Sequence, residues 1–436
     1  MSSNRPLRIF FSVGEPSGDI HAANLIAALR GLRPEIETFG YGGPRMAEAG
    51  CRLHEDLTAL AVMWFGRAIL HFPKFRALVH RADELFDRQP PDAVVLVDYP
   101  GFNWWIARKA KARGIPVYYH LPPQIWAWAS WRVRKMRRLV DHVLCALPFE
   151  EPWFRRHGCN ATYIGHPFFD EVRRHRYDDE FIRHLQRGGG RLVGILPGSR
   201  AQEVANNFRW FIEAARRVRA SVPEARFAVA AFKPDQAEAC RRMLAGSDLD
   251  VEVHCGKTPE VMRAAECCMS VSGSVSLELL HHAKPTVILY WINPVAYFAQ
   301  GFFRRVKYIT LVNLLVADEL YPADTTPYDP ARDGAESVLF PEYLTYQDRS
   351  ERIAAHLVEW LTRPASRAAL VGRLERLRDA VGQAGASRRA AEYLVETLAG
   401  RQPAARRPHF DSQSRSSGAE APARAPGVAA DWKPLQ

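Results

Sequence analysis

Four short stretches of this chain carry the residue types that phosphate and sugar chemistry requires. The first is Ser12-Val13-Gly14-Glu15-Pro16-Ser17-Gly18-Asp19, between an apolar run and a helix-like pattern. Gly14 and Gly18 let the backbone turn sharply and approach a ligand, and Ser17 or Asp19 suits a helix cap. The G-x-G-x-x-G spacing of a dinucleotide site is missing, so a plain strand-to-helix turn competes with a binding loop. The second stretch is Val97-Asp98-Tyr99-Pro100-Gly101-Phe102-Asn103. A carboxylate at the end of an apolar strand can hold a raised pKa and act as a general base, although capping or bracing is the commoner task for such an Asp.

The third stretch is Leu196-Pro197-Gly198-Ser199-Arg200, followed by Glu203. A helix starting there offers free N–H groups and a partial positive charge, and Arg200 adds a planar fork for phosphate oxygens. In the fourth, Ser272, Gly273 and Ser274 can present N–H and hydroxyl groups to a second phosphate. Glu278, one helical turn later, can accept from ribose hydroxyls or merely favour the helix dipole. Two such turns point to a nucleoside diphosphate. His21, His120 and His166 lie near these loops, but a lone His is more often packed than catalytic. The H-E-x-x-H spacing is absent, so neither a metal nor another cofactor is expected.

The elements that must position these residues are short apolar runs alternating with helical patterns. Strands are expected at 7–13, 93–98, 117–120, 142–146 and 162–164, then at 192–196, 226–231, 251–254, 267–271 and 286–290. Continuous apolar strands with helices between them predict parallel sheets covered on both faces. The glycines at 188–190 fall between the two series. The predicted fold is therefore α/β, with two Rossmann-like domains at 1–187 and 191–348, a closing helical segment at 349–400 and a disordered tail at 401–436.

The 436 residues are more than one core usually fills, and the net charge of +11 suits an acidic partner such as anionic lipid, a phosphorylated substrate or nucleic acid. Trp126, Trp128 and Trp131 with the basic residues at 132–138 could stack on bases, but no nucleic-acid motif accompanies them, so they are read as framing a cleft. Seven scattered cysteines without a C-x-x-C pair suit a reducing cytosol. No secretory signal and no membrane-spanning run is seen. Residues 62–76, with Trp64, Phe65, Phe72 and Phe75, mix large apolar and cationic groups, as do residues 294–307 with Phe302 and Phe303. Both read either as interfacial segments that meet anionic lipid or as core-packed amphipathic helices.

The ordered set of motifs resembles the lipid-A-disaccharide synthase family. The first stretch is similar to its G-E-x-S-G-D motif, Tyr41-Gly42-Gly43-Pro44-Arg45-Met46 to G-G-P-R-M, and Asp98 to Asn103 to D-x-P-D-F-N. Trp126-Ala127-Trp128, Leu147-Pro148-Phe149-Glu150, Ile164-Gly165-His166, Leu196 to Arg200, Ser272 to Glu278 and Asn313-Leu314-Leu315 follow in the family's order. Gly101 and Val312 depart from the Asp and Pro usual there, and residues 321–336 look like an insertion. The resemblance implies a GT-B fold and inverting transfer of 2,3-diacylglucosamine from UDP to 2,3-diacylglucosamine 1-phosphate, giving a β-1′,6-linked disaccharide. It implies Asp98 as base and Ser199, Arg200, Ser272, Gly273, Ser274, Glu278 and Asn313 as UDP contacts. Gly14, Glu15, Ser17, Gly18, Asp19, Asn103, Trp126 and Trp128 would line the acceptor cleft. The implied location is cytoplasmic, on the inner face of the inner membrane, with self-association left open. A MurG-like transferase, a UDP-N-acetylglucosamine 2-epimerase and a non-catalytic membrane-binding relative are the competing readings.

Overall fold

A computed structural model describes residues 5–59, 72–333 and 338–400. Trp64, Phe65, the side chain of Phe72 and the 401–436 tail lie outside the described residues. Two parallel sheets form the frame. The first contains β1 (Arg8–Val13), β2 (Glu37–Gly42), β3 (Arg52–Asp56), β4 (Ala93–Val97), β5 (Val117–His120), β6 (His142–Cys145) and β7 (Ala161–Tyr163) in the order β3-β2-β1-β4-β5-β6-β7. The second contains β8 (Arg191–Leu196), β9 (Ala225–Ala231), β10 (Val251–Cys255), β11 (Cys267–Ser270), β12 (Thr286–Trp291) and β13 (Glu342–Thr345) in the order β10-β9-β8-β11-β12-β13.

Burial explains why the central strands read as unbroken apolar runs. All five residues of β4 are buried, as are all but the first of β1 and of β8. Helices on both faces exclude water, so there is no polar side for alternation to mark. Strands β2, β3 and β13 were not among those expected. β3 reads Arg-Leu-His-Glu-Asp and stands at an edge, where charge is tolerated. β2 contains Gly40, where a Cβ would lie 2.0 Å from the Phe11 carbonyl oxygen, so only glycine permits the approach of β1.

Each sheet reverses its order beside its first strand: between β1 and β4, and between β8 and β11. Such reversals open a crevice at the carboxyl ends of the strands, where ligands of doubly wound sheets bind. All four chemistry-bearing stretches follow these four strands.

The helical C-terminus closes the molecule by returning to the first sheet. Helices Ser350–Thr362 and Pro364–Val381 lead to Ala386–Ala399, which packs along Pro16–Leu32. Buried Asp170 accepts the Gly385 and Ser387 N–H groups at the start of this last helix. Arg389 donates to the Ile164 carbonyl (2.9 Å), Tyr393 Oη meets His142 Nδ1 (2.9 Å), and Thr397 meets Tyr118 Oη (2.8 Å). Asp170→Ala leaves two amides without an acceptor and is expected to destabilise the chain by about 1–3 kcal/mol. The measurement is the urea midpoint, with the slope of the transition unchanged.

Candidate active site

The turn after β4 is conformationally unusual. Asp98 and Tyr99 both adopt left-handed backbone geometry, with φ of 47° and 43°. For residues with a Cβ this costs about 1–3 kcal/mol each, so the surroundings must hold them there. Asn103, fully buried, supplies most of the hold. Its Nδ2 donates to the carbonyls of Asp98 (2.7 Å) and Val97 (3.1 Å), while its Oδ1 accepts from Ser12 Oγ (2.6 Å). Tyr119 Oη also donates to the Asp98 carbonyl, at 2.6 Å. The Tyr99 ring then lies over Gly14, where a Cβ would come within 2.4 Å of it. Asn103 is thus a brace beneath the turn rather than a group facing the crevice.

The braced turn aims the Asp98 carboxylate at the first turn of helix Pro16–Leu32. A Cβ on Gly18 would lie 3.1 Å from Asp98 Oδ2. Burial, reinforced by the charge of Glu15, pushes the Asp98 carboxyl up to about 7. A half-protonated carboxylate at neutral pH suits a general base, and the helix N-terminus favours its charged form.

Glu15 joins the two halves of the molecule. Half-buried beside Asp98, it comes within 4.0 Å of the Arg200 guanidinium, which follows β8. Arg200 also pairs with Glu203 at 2.9 Å. Two amides just before this helix are already engaged. Glu203 Oε2 accepts the N–H groups of both Ser199 (3.0 Å) and Arg200 (3.2 Å). The Arg200-x-x-Glu203 spacing is that of a cap, and it could have signalled the occupied amides. What a ligand meets there is the exposed guanidinium beside the start of helix Ala201–Ser221. Gln236, absent from the sequence reading, buttresses this loop by donating to the Ser199 carbonyl at 2.7 Å.

The turn after β11 is more open. Ser272 Oγ donates to the Ile309 carbonyl (2.7 Å), while Gly273 and Ser274 are exposed and a Cβ on Gly273 would meet nothing within 4 Å. Glu278 is half-buried, and burial with the nearby Glu260 pushes it up to about 7.

Other expected residues have different surroundings. Asn313 is fully buried: its Nδ2 donates to the Phe340 carbonyl and Glu342, and its Oδ1 accepts the Leu339 and Phe340 amides. Every hydrogen-bonding position of that amide is engaged within the protein. Asp19, also buried, accepts the N–H groups of Gly43, Arg45 and Met46, whereas Ser17 is exposed. Trp126 is buried with its indole N–H donating to Glu150 at 3.0 Å, while Trp128 is exposed with Arg132 stacked at 4.8 Å. Phe75 packs on Tyr99 and Phe102, but Phe302 and Phe303 face solvent. His21, His120 and His166 cluster in the first unit. Burial pushes them down to about 4, 3 and 3, so they stay neutral near pH 7.

Known proteins match this arrangement at the level of both sequence and fold. A family model described as lipid-A-disaccharide synthetase matches residues 9–326. A lipid-A-disaccharide synthase of Trichlorobacter lovleyi is 34% identical over 79% of this chain and 94% of its own length. One from Geobacter sulfurreducens is 32% identical over 91% and 99%. Among solved structures, a UDP-N-acetylglucosamine 2-epimerase superposes with a TM-score of 0.59 at 14% identity, covering 94% of this chain and all of the other. The calicheamicin glycosyltransferase CalG4 gives 0.53 at 15%, covering 91% and 99%. These likenesses identify the GT-B architecture of two facing parallel sheets. With a family match across most of its length and curated relatives above 30% identity, the chain belongs to the lipid-A-disaccharide synthetase family.

Proposed function

We propose that this enzyme transfers 2,3-diacylglucosamine from UDP to the 6-hydroxyl of 2,3-diacylglucosamine 1-phosphate, with inversion, releasing UDP and a β-1′,6-linked disaccharide. The observation that carries the reading is the contact of Glu15 with Arg200. It brings the turn that holds Asp98 and the turn that would hold a diphosphate to one crevice.

In this mechanism Asp98 removes the proton of the acceptor hydroxyl as its oxygen attacks the anomeric carbon. The bond from that carbon to the β-phosphate oxygen breaks, and the electron pair leaves on UDP. The exposed Arg200 guanidinium and the Ser272–Ser274 turn receive the growing negative charge, as preorganised donors do. Glu278 takes the ribose hydroxyls. Asn103 keeps the base aimed through the backbone, and Asn313 holds the 309–316 segment behind the nucleotide turn. The seven-stranded unit carries the acceptor and the six-stranded unit the donor.

The lipid substrates place the enzyme at the inner face of the inner membrane. Among the described residues no helix is long and apolar enough to cross a membrane. Contact would instead come from a surface bearing exposed Phe302 and Phe303.

Turnover with both acylated sugars is expected to rise with pH through about 7 and then level off, because Asp98 must be ionised to accept the proton. Asp98→Asn is expected to remove this limb and cut kcat by about a hundredfold or more, with UDP affinity within about twofold of the parent. A pH–rate profile in mixed micelles and calorimetric UDP titration measure both, and a retained limb near 7 would exclude Asp98 as the base. Arg200→Ala is expected to weaken UDP binding by about tenfold or more, through loss of a charge-assisted contact. Unchanged UDP affinity would remove Arg200 from the diphosphate site.

A further inference from the structure

A second cavity lies at the junction of the two units, outside the Asp98–Arg200 crevice. About 500 Å³ in volume, it is walled by Trp128 and Trp131 from the first unit and by Phe303, Val306, Ile309 and Leu314 from the second. That volume falls within the range of small-molecule sites. The walls are tied together: the Arg305 amide donates to the Ala127 carbonyl at 2.8 Å, and the Trp131 and Phe303 rings lie 6.0 Å apart. Three of these rings stay exposed, Trp128 at 46%, Trp131 at 54% and Phe303 at 54%.

Gln124, Gln300 and Arg304 interrupt the apolar lining, and of these Arg304 carries the charge. Arg304 borders the cavity, and its Nε and Nη1 are buried without a hydrogen-bond partner. Buried guanidinium nitrogens left unsatisfied in a largely apolar wall are costly unless an anion meets them. The cavity wall is also tied to the nucleotide turn, because the Ile309 carbonyl accepts the Ser272 hydroxyl at 2.7 Å.

We propose that this cavity holds one fatty acyl chain of the enzyme's lipid substrate, with Arg304 pairing to an anionic group of the same molecule. The proposal rests on the transferase reading above and adds where a chain would go. Largely apolar walls account for the chain, the two unpartnered guanidinium nitrogens for the anion, and the Ser272–Ile309 bond for the proximity to the donor turn.

The test uses dodecyl phosphate below its micellar concentration, titrated calorimetrically into the full chain. One molecule per chain is expected to bind, at least about tenfold tighter than butyl phosphate, since additional methylenes leave water. Gln300→Trp narrows the cavity from a half-buried lining position and is expected to weaken that binding about tenfold or more. Arg304→Gln is expected to weaken dodecyl phosphate about tenfold while leaving dodecanol within about twofold. Thermal melting shows whether each variant is folded, and Gln300→Phe replaces a variant that is not. Disaccharide formation, measured in parallel, separates the two readings. Product from acylated sugars, with dodecyl phosphate affinity unmoved by both variants, overturns the cavity assignment alone. No product, but variant-sensitive dodecyl phosphate binding, overturns the transferase reading and keeps the cavity as a lipid site.

Discussion

The Asp98–Tyr99 turn must hold two consecutive residues in left-handed geometry, and much of the surrounding sequence answers that demand. Gly14 has no side chain because the Tyr99 ring occupies the space where one would be. Asn103 and Ser12 are polar inside an apolar core because the Val97 and Asp98 carbonyls at the entry to the turn, and the Asn103 amide oxygen itself, need partners there. Tyr119, at the next strand, contributes its hydroxyl to the same carbonyl. A strained turn survives only where such contacts over-determine it. What the strain achieves is placement: a carboxylate at a strand end would normally fold back to cap its own helix, whereas this one is turned toward Gly18.

That placement has meaning only if the second unit stays opposite. Two features join the halves away from the crevice. The Arg305–Ala127 backbone bond closes one side, and the last helix crosses back to the first unit through Asp170, Arg389, Tyr393 and Thr397. Helices Ser350–Thr362 and Pro364–Val381 connect that helix to the second unit, the former along Ala201–Ser221. The closing segment therefore belongs to both units. Its attachment to the first unit combines these polar links with the buried apolar face Ala390, Ala391, Leu394 and Leu398, part of one apolar core that runs on through Leu374 and Leu377 into the second unit.

The sheets were legible wherever strands are buried on both faces, because that burial forces unbroken apolar runs. β2 and β13 are largely buried yet escaped because glycines interrupt the first and a buried, hydrogen-bonded Glu342 opens the second, whereas β3 escaped because its edge position admits charge. In the site, residue type revealed where the loops lie but not which way side chains turn. Trp126-Ala127-Trp128 forms a short helix whose rotation sends the first indole into the core and the third outward, so two residues expected to share a cleft separate. Asn313 interrupts Leu311–Val316, otherwise wholly apolar. A lone amide in such a run has to be satisfied internally, and it is. Glu203 shows the same limit: the sequence marked the turn as a place for anions, and two of its amides, those of Ser199 and Arg200, are taken by the protein's own carboxylate.

This last point shapes the electrostatics of the crevice. With Ser199 and Arg200 amides taken by Glu203, the cation on that side is concentrated in one guanidinium, already shared between Glu203 and Glu15. On the proposed reading, an incoming diphosphate competes with Glu15 for Arg200. Glu15 is also the charge that, after burial, raises Asp98. Donor binding and the proton affinity of the base thus share one carboxylate, so the ionisation of Asp98 cannot be independent of what Arg200 holds. The coupling requires no movement of either sheet, only the exchange of one carboxylate for phosphate oxygens at a single arginine.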